Sequence, residues 1–229
     1  MDQQTSRIAK VNHTLSKDGS STLWAPDFDE HYHSVHGALT ESEHVFIEAG
    51  LQYVEEKETP LYIFEMGFGT GLNALLTLVH RSNRPIYYTS LELYPLKEAQ
   101  WQSLNYGEAV DHPKAEAWLQ KLHQAAWNTY VEIEEGFFLN KQEADLLAYE
   151  GEEKMDLIYF DAFAPSSQPQ LWTADVMQEL YKLANPGAVF TTYSAKGDVR
   201  RALLGAGFEV EKIPGPPGKR EMLRAIRPF

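Results

Sequence analysis

Six residues carry the first chemical signal. Glu65, Gly67, Gly69 and Gly71 stand in "FEMGFGTGLN", Glu92 in "SLELYP" and Asp161 in "YFDAF". Alternate glycines leave the backbone bare and free to take conformations denied to other residues. Such a loop lets a ligand approach the main chain closely, and a carboxylate beside it favours a ligand that carries positive charge. Asp161 ends an apolar run, where the alternation of side chains along a strand turns it into a crevice. A carboxylate there suits an amine or another hydrogen-bond donor.

Two ligands compete for the glycine loop. Residues 69–74, "GTGLNA", fit the dinucleotide fingerprint with alanine in third place, and a phosphate would rest on the following helix N-terminus. Glu65, expected at the mouth of the loop, would repel a pyrophosphate. It would attract the α-ammonium of S-adenosylmethionine, which has no phosphate. Glu65, Gly67, Gly69, Gly71 and Asn73 are therefore read as cofactor residues. Glu92, 21 residues beyond Gly71, suits the two ribose hydroxyls, as an acid does in NAD enzymes; it supports a nucleoside and not one cofactor. Asp145 in "QEADLL" is a candidate for the adenine amino group or a helix cap.

These residues need a frame. "LYIFEM", "PIYYTSLEL", "TYVEIEE", "MDLIYFDAF" and "AVFTTYS" read as strands, with helices through "LNALLTLVHR", "PLKEAQWQSLN" (Pro95 at its first position), "AEAWLQKLHQAAW", "ADVMQELYKLA" and "GDVRRALLGAG". That alternation predicts a parallel sheet with helices on both faces. "FEVEKI" and "EMLRAIRP" are joined by "PGPPGK" with no helix between, so they form an antiparallel pair. The fold class is α/β, a doubly wound Rossmann-like sheet closed by an antiparallel hairpin, the architecture of class I methyltransferases. Residues 1–60 read as an N-terminal extension packing on the core 61–229. Within it "TESEHVFIEAGLQYVEEK" is expected as a helix capped by Thr40 and Glu43, burying Val45, Phe46, Ala49 and Tyr53.

"FEMGFGTGLN", "LELYPL", "DAFAPSSQPQLW", "TYSAKGDVRRAL" and "GKREML" together resemble the MnmC/MnmD-type methyltransferases, in the stand-alone form without a fused flavin oxidase. The N-terminal "DEHYHSVHGALTESEHVFIEAGL" fits the same family, and the likeness spans roughly residues 18–227. It implies methylation of 5-aminomethyl-(2-thio)uridine at the tRNA wobble position, with cofactor residues on Glu65, Gly67, Gly69, Gly71, Glu92 and Asp145 and the strand-end aspartate on Asp161. Ala162 stands where the family pattern often has glycine. Asp161, with a reference pKa near 3.9, is a poor base for an alkyl amine near 10.4, so its expected role is to accept an N–H bond and aim the lone pair. Phe163 and Tyr193 are expected to line the substrate pocket.

Charge separates the possible partners. The chain carries −13 over 229 residues, yet residues 196–229 hold eight Lys/Arg against four acids, net +4. Lys196, Arg200, Arg201, Lys219 and Arg220 are therefore expected as a local tRNA-facing rim on an acidic body. Zero cysteines exclude disulfides and thiolate chemistry. His31, His33 and His36 crowd together without a ligand spacing, so they are read as pocket wall or loop and no metal is expected. No apolar run reaches a membrane span, and "MDQQTSRIAK" lacks a leader's apolar core; a cytoplasmic enzyme is expected. Two alternatives stay open: a methyl- or aminopropyltransferase acting on a small amine, and a non-catalytic nucleoside-binding module.

Overall fold

The computed structural model describes residues 11–54, 58–151 and 153–229. The stretch 1–10, expected to carry no leader, and the end of the expected first helix, 55–57, lie outside the described residues. The described chain opens with a small antiparallel sheet: β1 (Asn12–Leu15), β2 (Ser21–Ala25) and β3 (Glu30–His31). Helix α1 (Ala38–Ser42) runs into a wider π turn, Glu43–Glu48. Thr40 lies inside α1 and does not cap it; its N–H and hydroxyl both donate to Asp18 Oδ2. Glu43 reaches His80 instead of the helix start, at 3.0 Å. Val45, Phe46 and Ala49 are buried as expected, whereas Tyr53 is 43% exposed.

The main sheet then builds up. Its parallel strands are β4 (Leu61–Met66), β5 (Ile86–Leu91), β7 (Phe137–Gln142), β8 (Met155–Phe160) and β9 (Ala184–Thr192). Strand β6 (Tyr130–Glu134) adds to β7 as an antiparallel edge, and β10 (Glu209–Pro214) with β11 (Glu221–Ile226) forms the expected hairpin. The order is β10-β11-β9-β8-β4-β5-β7-β6. Strand β7 departs from expectation. "TYVEIEE" is only the edge partner, and the third parallel strand is "FFLNKQ", whose buried Asn140 and Lys141 break the apolar run that marks such strands. A turn through Gly136, at φ 74°, joins the two.

Helices cover both faces. Successive residues of a strand point to opposite sides, so Leu157 and Tyr159 enter the core that also holds Phe46, Ile63 and Leu75, while Ile158 and Phe160 enter the core of Met177, Leu180 and Leu203. The first face carries α2 (Leu72–His80) and α5 (Ala115–Gln124); the second carries α6 (Ala174–Leu183) and α7 (Gly197–Ala206). Short helices α3 (Glu98–Trp101) and α4 (Tyr106–Ala109) connect β5 to α5. Helix α3 begins at Glu98, three residues after Pro95, and is capped at Lys97, whose N–H donates to Gln100 Oε1; the proline precedes the helix and does not open it.

Strand order reverses at β4, which lies between β5 and β8. Ligands of open α/β sheets bind beyond the strand carboxyl ends at this switch point. Among the described residues no helix is long and apolar enough to cross a membrane.

Phe46 links the N-terminal segment to the main core, its ring 5.2 Å from that of Tyr159. Phe46→Ala is expected to cost about 3–5 kcal/mol, the usual loss for a buried aromatic. Denaturant melts followed by fluorescence and by circular dichroism check this: a loss below about 1 kcal/mol would mean that this segment adds little to the cooperative core.

Candidate active site

The glycine loop leaves β4 at Met66 and enters α2 at Leu72. Gly67, Gly69 and Gly71 have φ of 92°, 49° and 73°. A side chain is strained at each, and a Cβ on Gly69 would sit 3.1 Å from the Tyr32 ring. The loop forms one wall of a cavity of about 290 Å³. Glu92, following β5, lines it and fixes the loop: its Oε2 accepts from Gly69 N–H and its Oε1 from Tyr94 N–H, both at 2.8 Å. Burial raises the pKa of Glu92, opposed by those N–H donors.

Asp161, following β8, lines the cavity beside the loop: its N–H donates to the Met66 carbonyl at 3.2 Å, and a Cβ on Gly67 would meet its carbonyl oxygen at 3.1 Å. Its Oδ2 accepts from Asn73 Nδ2 at 2.8 Å. Burial lifts this carboxyl to about 7, helped by Glu41 and Glu30 and opposed by Asn73 and Lys219. It is therefore a much stronger proton acceptor than the free side chain, and the gap to an alkyl ammonium shrinks to about three units.

Glu65 is not at the mouth. It lies inside β4, on the face covered by α2, because the pleat turns every second residue that way. Its carboxylate is fully buried, accepting from Asn73 Nδ2 at 3.1 Å and from Ser90 Oγ at 2.7 Å. Burial pushes it up to about 8, and nearby Asp161 adds to the shift. Glu65 supports the cavity floor through Asn73 and does not line the space above it.

The N-terminal segment supplies the opposite wall, which sequence reasoning saw only in outline. Tyr32, His31 and His33 line the cavity. His33 Nε2 lies 2.6 Å from Thr70 Oγ1, and burial holds its ring down to about 4, hence neutral. Phe28 stacks on Phe163 with centroids 4.7 Å apart, and Glu30 accepts from Ala164 N–H at 2.9 Å. Glu30, Glu41 and Gln168 also face the space; they stand in the stretches that carry the family resemblance, but no spacing within those stretches singled them out. Among the described residues no group of three or more His, Asp or Glu is placed to hold a metal ion.

Other expected residues scatter. Asp145 lies in an adjoining cavity that shares Met66, Leu93, Tyr94 and Gln168 with the first, and it accepts from Leu147 N–H at 3.0 Å. Phe163 and Tyr193 line the main cavity. The basic stretch is not one open cationic face. Lys219 points into the cavity and pairs with Glu41 at 2.6 Å. Arg201 pairs with Asp198 one turn away on α7. Lys196 and Arg220 are exposed, and Arg200 Nε is buried without a hydrogen-bond partner among the described residues.

Comparison with known proteins agrees with this geometry. A family profile described as S-adenosyl-L-methionine-dependent methyltransferase matches residues 111–228. Curated relatives include the tRNA 5-methylaminomethyl-2-thiouridine biosynthesis bifunctional protein MnmC of Paraburkholderia xenovorans, 32% identical over 91% of this chain and 34% of that protein. The protein of the same name from Pseudoalteromonas atlantica is 34% identical over 91% of this chain and 32% of its own. The chain thus spans about a third of the length of these relatives. Among solved structures, MNMC2 from Aquifex aeolicus superposes with a TM-score of 0.73 at 25% identity, covering 94% of this chain and 70% of that one. Spermidine synthase from Thermotoga maritima, at 0.51 and 13% identity over 96% of this chain and 73% of its own, shares the fold.

The residues present fit S-adenosylmethionine. Gly67 and Gly69 line the cavity with bare, left-handed backbone where a side chain would be strained, and the carboxyl groups of Glu30, Glu41, Glu92 and Asp161 outnumber Lys219 there, which suits a ligand bearing a sulfonium and an ammonium.

Glu65 yields a stability prediction. Burial raises its pKa in the fold to about 8, above the ordinary glutamate value of 4.5, so the folded state holds the proton more tightly. Below pH 4.5 both states are protonated and nothing is lost; between 4.5 and 8 stability falls as pH rises, by at most about 1.4 kcal/mol per unit. Glu65→Gln is expected to match the parent near pH 5 and to exceed it increasingly toward pH 8 in chemical denaturation. Parallel curves would show that Glu65 ionises in the fold as easily as in solution.

Proposed function

The chain belongs to the S-adenosyl-L-methionine-dependent methyltransferases, and from that premise we propose that it methylates the 5-aminomethyl group of a (2-thio)uridine at the tRNA wobble position, giving the 5-methylaminomethyl form. The observation that carries the proposal is the placement of Asp161 against the glycine loop in the lining of one cavity, with the stacked ring of Phe163 beside it. The named relatives act in the biosynthesis of this nucleoside, and the chain resembles them over nine-tenths of its length. In this reading residues 1–60 form a wall-building extension on the catalytic unit 61–229, and the reaction takes place in the cytoplasm.

When bound, S-adenosylmethionine supplies a methyl group activated by its sulfonium. Everything else falls to the protein. Gly67, Gly69 and Gly71 give room for the amino-acid portion, Glu92 accepts from the ribose hydroxyls, and Asp145 meets the adenine end through the adjoining cavity. Asn73 fixes Asp161, whose free oxygen accepts an N–H from the substrate amine and aims the lone pair. Alignment of this kind contributes on the order of 7–11 kcal/mol in favourable cases. Titrating near 7, Asp161 also offers the departing proton an acceptor inside the cavity. Phe163 and Tyr193 bound the base. Lys196 just before α7, Arg200 on α7 and Arg220 in the β10–β11 turn contact phosphates; Arg201 is paired with Asp198 and contributes less.

The test is methyl transfer by the full chain to tRNA carrying the aminomethyl group, compared with free polyamines, read by mass spectrometry of the nucleosides. Asp161→Ala is expected to lower kcat by about a hundredfold or more with little change in cofactor affinity. Asp161→Asn is expected to keep part of the activity, because its amide oxygen still accepts, and to lose the fall in activity expected of the parent as pH drops through about 7. Transfer to polyamines but not to tRNA would replace this reading with a small-amine transferase. Cofactor binding without transfer to either would leave a nucleoside-binding module.

The phosphate contacts are separately checkable. Replacing Lys196, Arg200 and Arg220 with Gln is expected to weaken tRNA binding and to flatten the salt dependence of log affinity by about 0.7–0.9 per contact, with cofactor affinity unchanged. Superimposed salt titrations of parent and variant would remove these side chains from the tRNA interface.

A further inference from the structure

The cavity already holds one cation, and it is the protein's own. Lys219 Nζ lies 2.6 Å from Glu41 Oε2 and 4.0 Å from the centre of the Tyr193 ring. Glu41 comes from α1 near the chain's start and Lys219 from the β10–β11 turn near its end, 178 residues apart. Both line the cavity that Asp161 faces. The Tyr193 ring is held in place because its hydroxyl donates to the carbonyl of Ala162, the residue after Asp161, at 2.8 Å. An ammonium between a carboxylate and an aromatic face is a favourable arrangement for recognising alkylammonium ions.

The plain account of this pair is that it fastens α1 to the C-terminal hairpin. Two observations exceed fastening. The Glu41 side chain is only 12% exposed, and Glu41 and Lys219 act on Asp161 in opposite directions, so the pair sits within electrostatic reach of the residue placed at the reacting amine. Independently, Asn73 is 2% exposed and lines the same cavity, yet its Oδ1 has no partner among the described residues while its Nδ2 serves both Glu65 and Asp161. A buried acceptor without a donor, beside two carboxyls beneath a cavity already rich in acceptors, adds to the local demand for positive charge.

We infer that Glu41 and the face of Tyr193 form the docking site for the alkylammonium of the incoming substrate, and that Lys219 is its internal stand-in, displaced when the substrate amine enters. The inference rests on the reading of the substrate as an aminomethyluridine in tRNA. Glu41 and Tyr193 receive the charged form, and Asp161 sits beside them to take up the N–H as the amine becomes the nucleophile. Displaced Lys219, already 35% exposed, keeps its charge beside Arg220 at the rim. A site filled by an internal competitor shows a reduced apparent affinity for the external ligand, in proportion to the fraction of time it is free.

The experiment uses two tRNAs identical except at the wobble base, one with 5-aminomethyluridine and one with unmodified uridine. Both are bound to the full chain in the presence of S-adenosylhomocysteine, which permits no turnover. The measured quantity is the ratio of their dissociation constants, in which phosphate contacts cancel. The parent is expected to prefer the aminomethyl tRNA. Glu41→Gln is expected to lower that preference about tenfold, as for a lost charge-assisted bond, and Tyr193→Leu several-fold. Lys219→Met is expected to raise it several-fold while weakening both tRNAs alike. A fastening role predicts the opposite for Lys219→Met, since breaking the clasp from either end would loosen the same wall. A ratio that falls or stays constant in Lys219→Met overturns the inference, as does an unchanged ratio in both Glu41→Gln and Tyr193→Leu. No preference in the parent, by contrast, would overturn the substrate reading itself.

Discussion

Asn73 Nδ2 donates to Glu65 Oε1 at 3.1 Å and to Asp161 Oδ2 at 2.8 Å, and through those two bonds β4, α2 and the end of β8 meet. The amide can reach both carboxyls only because Gly71 takes a left-handed turn directly before α2, which starts the helix over the strand that holds Glu65. Two carboxyls placed this close in a dry setting resist ionising together. Burial lifts both above the ordinary carboxylate range, with Asp161 adding to the rise of Glu65 and Glu41 and Glu30 adding to that of Asp161. The cavity floor is thus poised between charge states, and a cationic ligand above it shifts the balance toward the ionised form. Whatever enters the cavity meets a floor that responds to positive charge.

The glycine loop is held from its other side by residues with no part in the cavity. His123 Nε2 lies 3.0 Å from the carbonyl oxygen of Thr70, and the His123 ring stacks on Trp101 with centroids 4.8 Å apart. Lys141, 1% exposed, donates to the His123 carbonyl at 2.7 Å and lies over the rings of Phe68 and Trp127. Its burial lowers its pKa to about 8, a cost that the carbonyl and the two ring faces offset. A loop made of glycines has no side chains with which to hold its own shape, so its shape comes from this outer cluster and from Glu92 on the inner side.

The cavity is also a product of chain ends meeting. Its walls come from the β2–β3 segment, the loop after β8, α1 and the β10–β11 turn. The Phe28–Phe163 stack and the bond from Ala164 N–H to Glu30 join the first wall to the second, and the Glu41–Lys219 pair joins the third to the fourth. Each contact is separated by more than 130 residues in sequence. An enclosed acidic space of this kind strengthens electrostatic contacts with a bound cation, because water is partly excluded from it.

Much of this was legible from the chain alone. Short apolar runs alternating with amphipathic ones fixed the sheet and its helices, because burial on two faces leaves an unbroken apolar strand. Glycines at alternate positions, with Glu92 and Asp161 at the ends of predicted strands, pointed to the cavity that Gly67, Gly69 and both acids line, because strand ends are where an open sheet binds its ligands. What failed did so for local reasons. Strand β7 carries the buried Lys141 and Asn140 and so hid from an apolarity test, and Thr40 looked like a cap while its bonds go to Asp18, 22 residues earlier. The depth of Glu65, the wall made by Glu30, Tyr32 and Glu41, and the inward turn of Lys219 were decided only by tertiary structure. Periodicity reports which face of an element is buried, but which distant side chain closes over that face depends on packing between elements, and no spacing along the sequence encodes it.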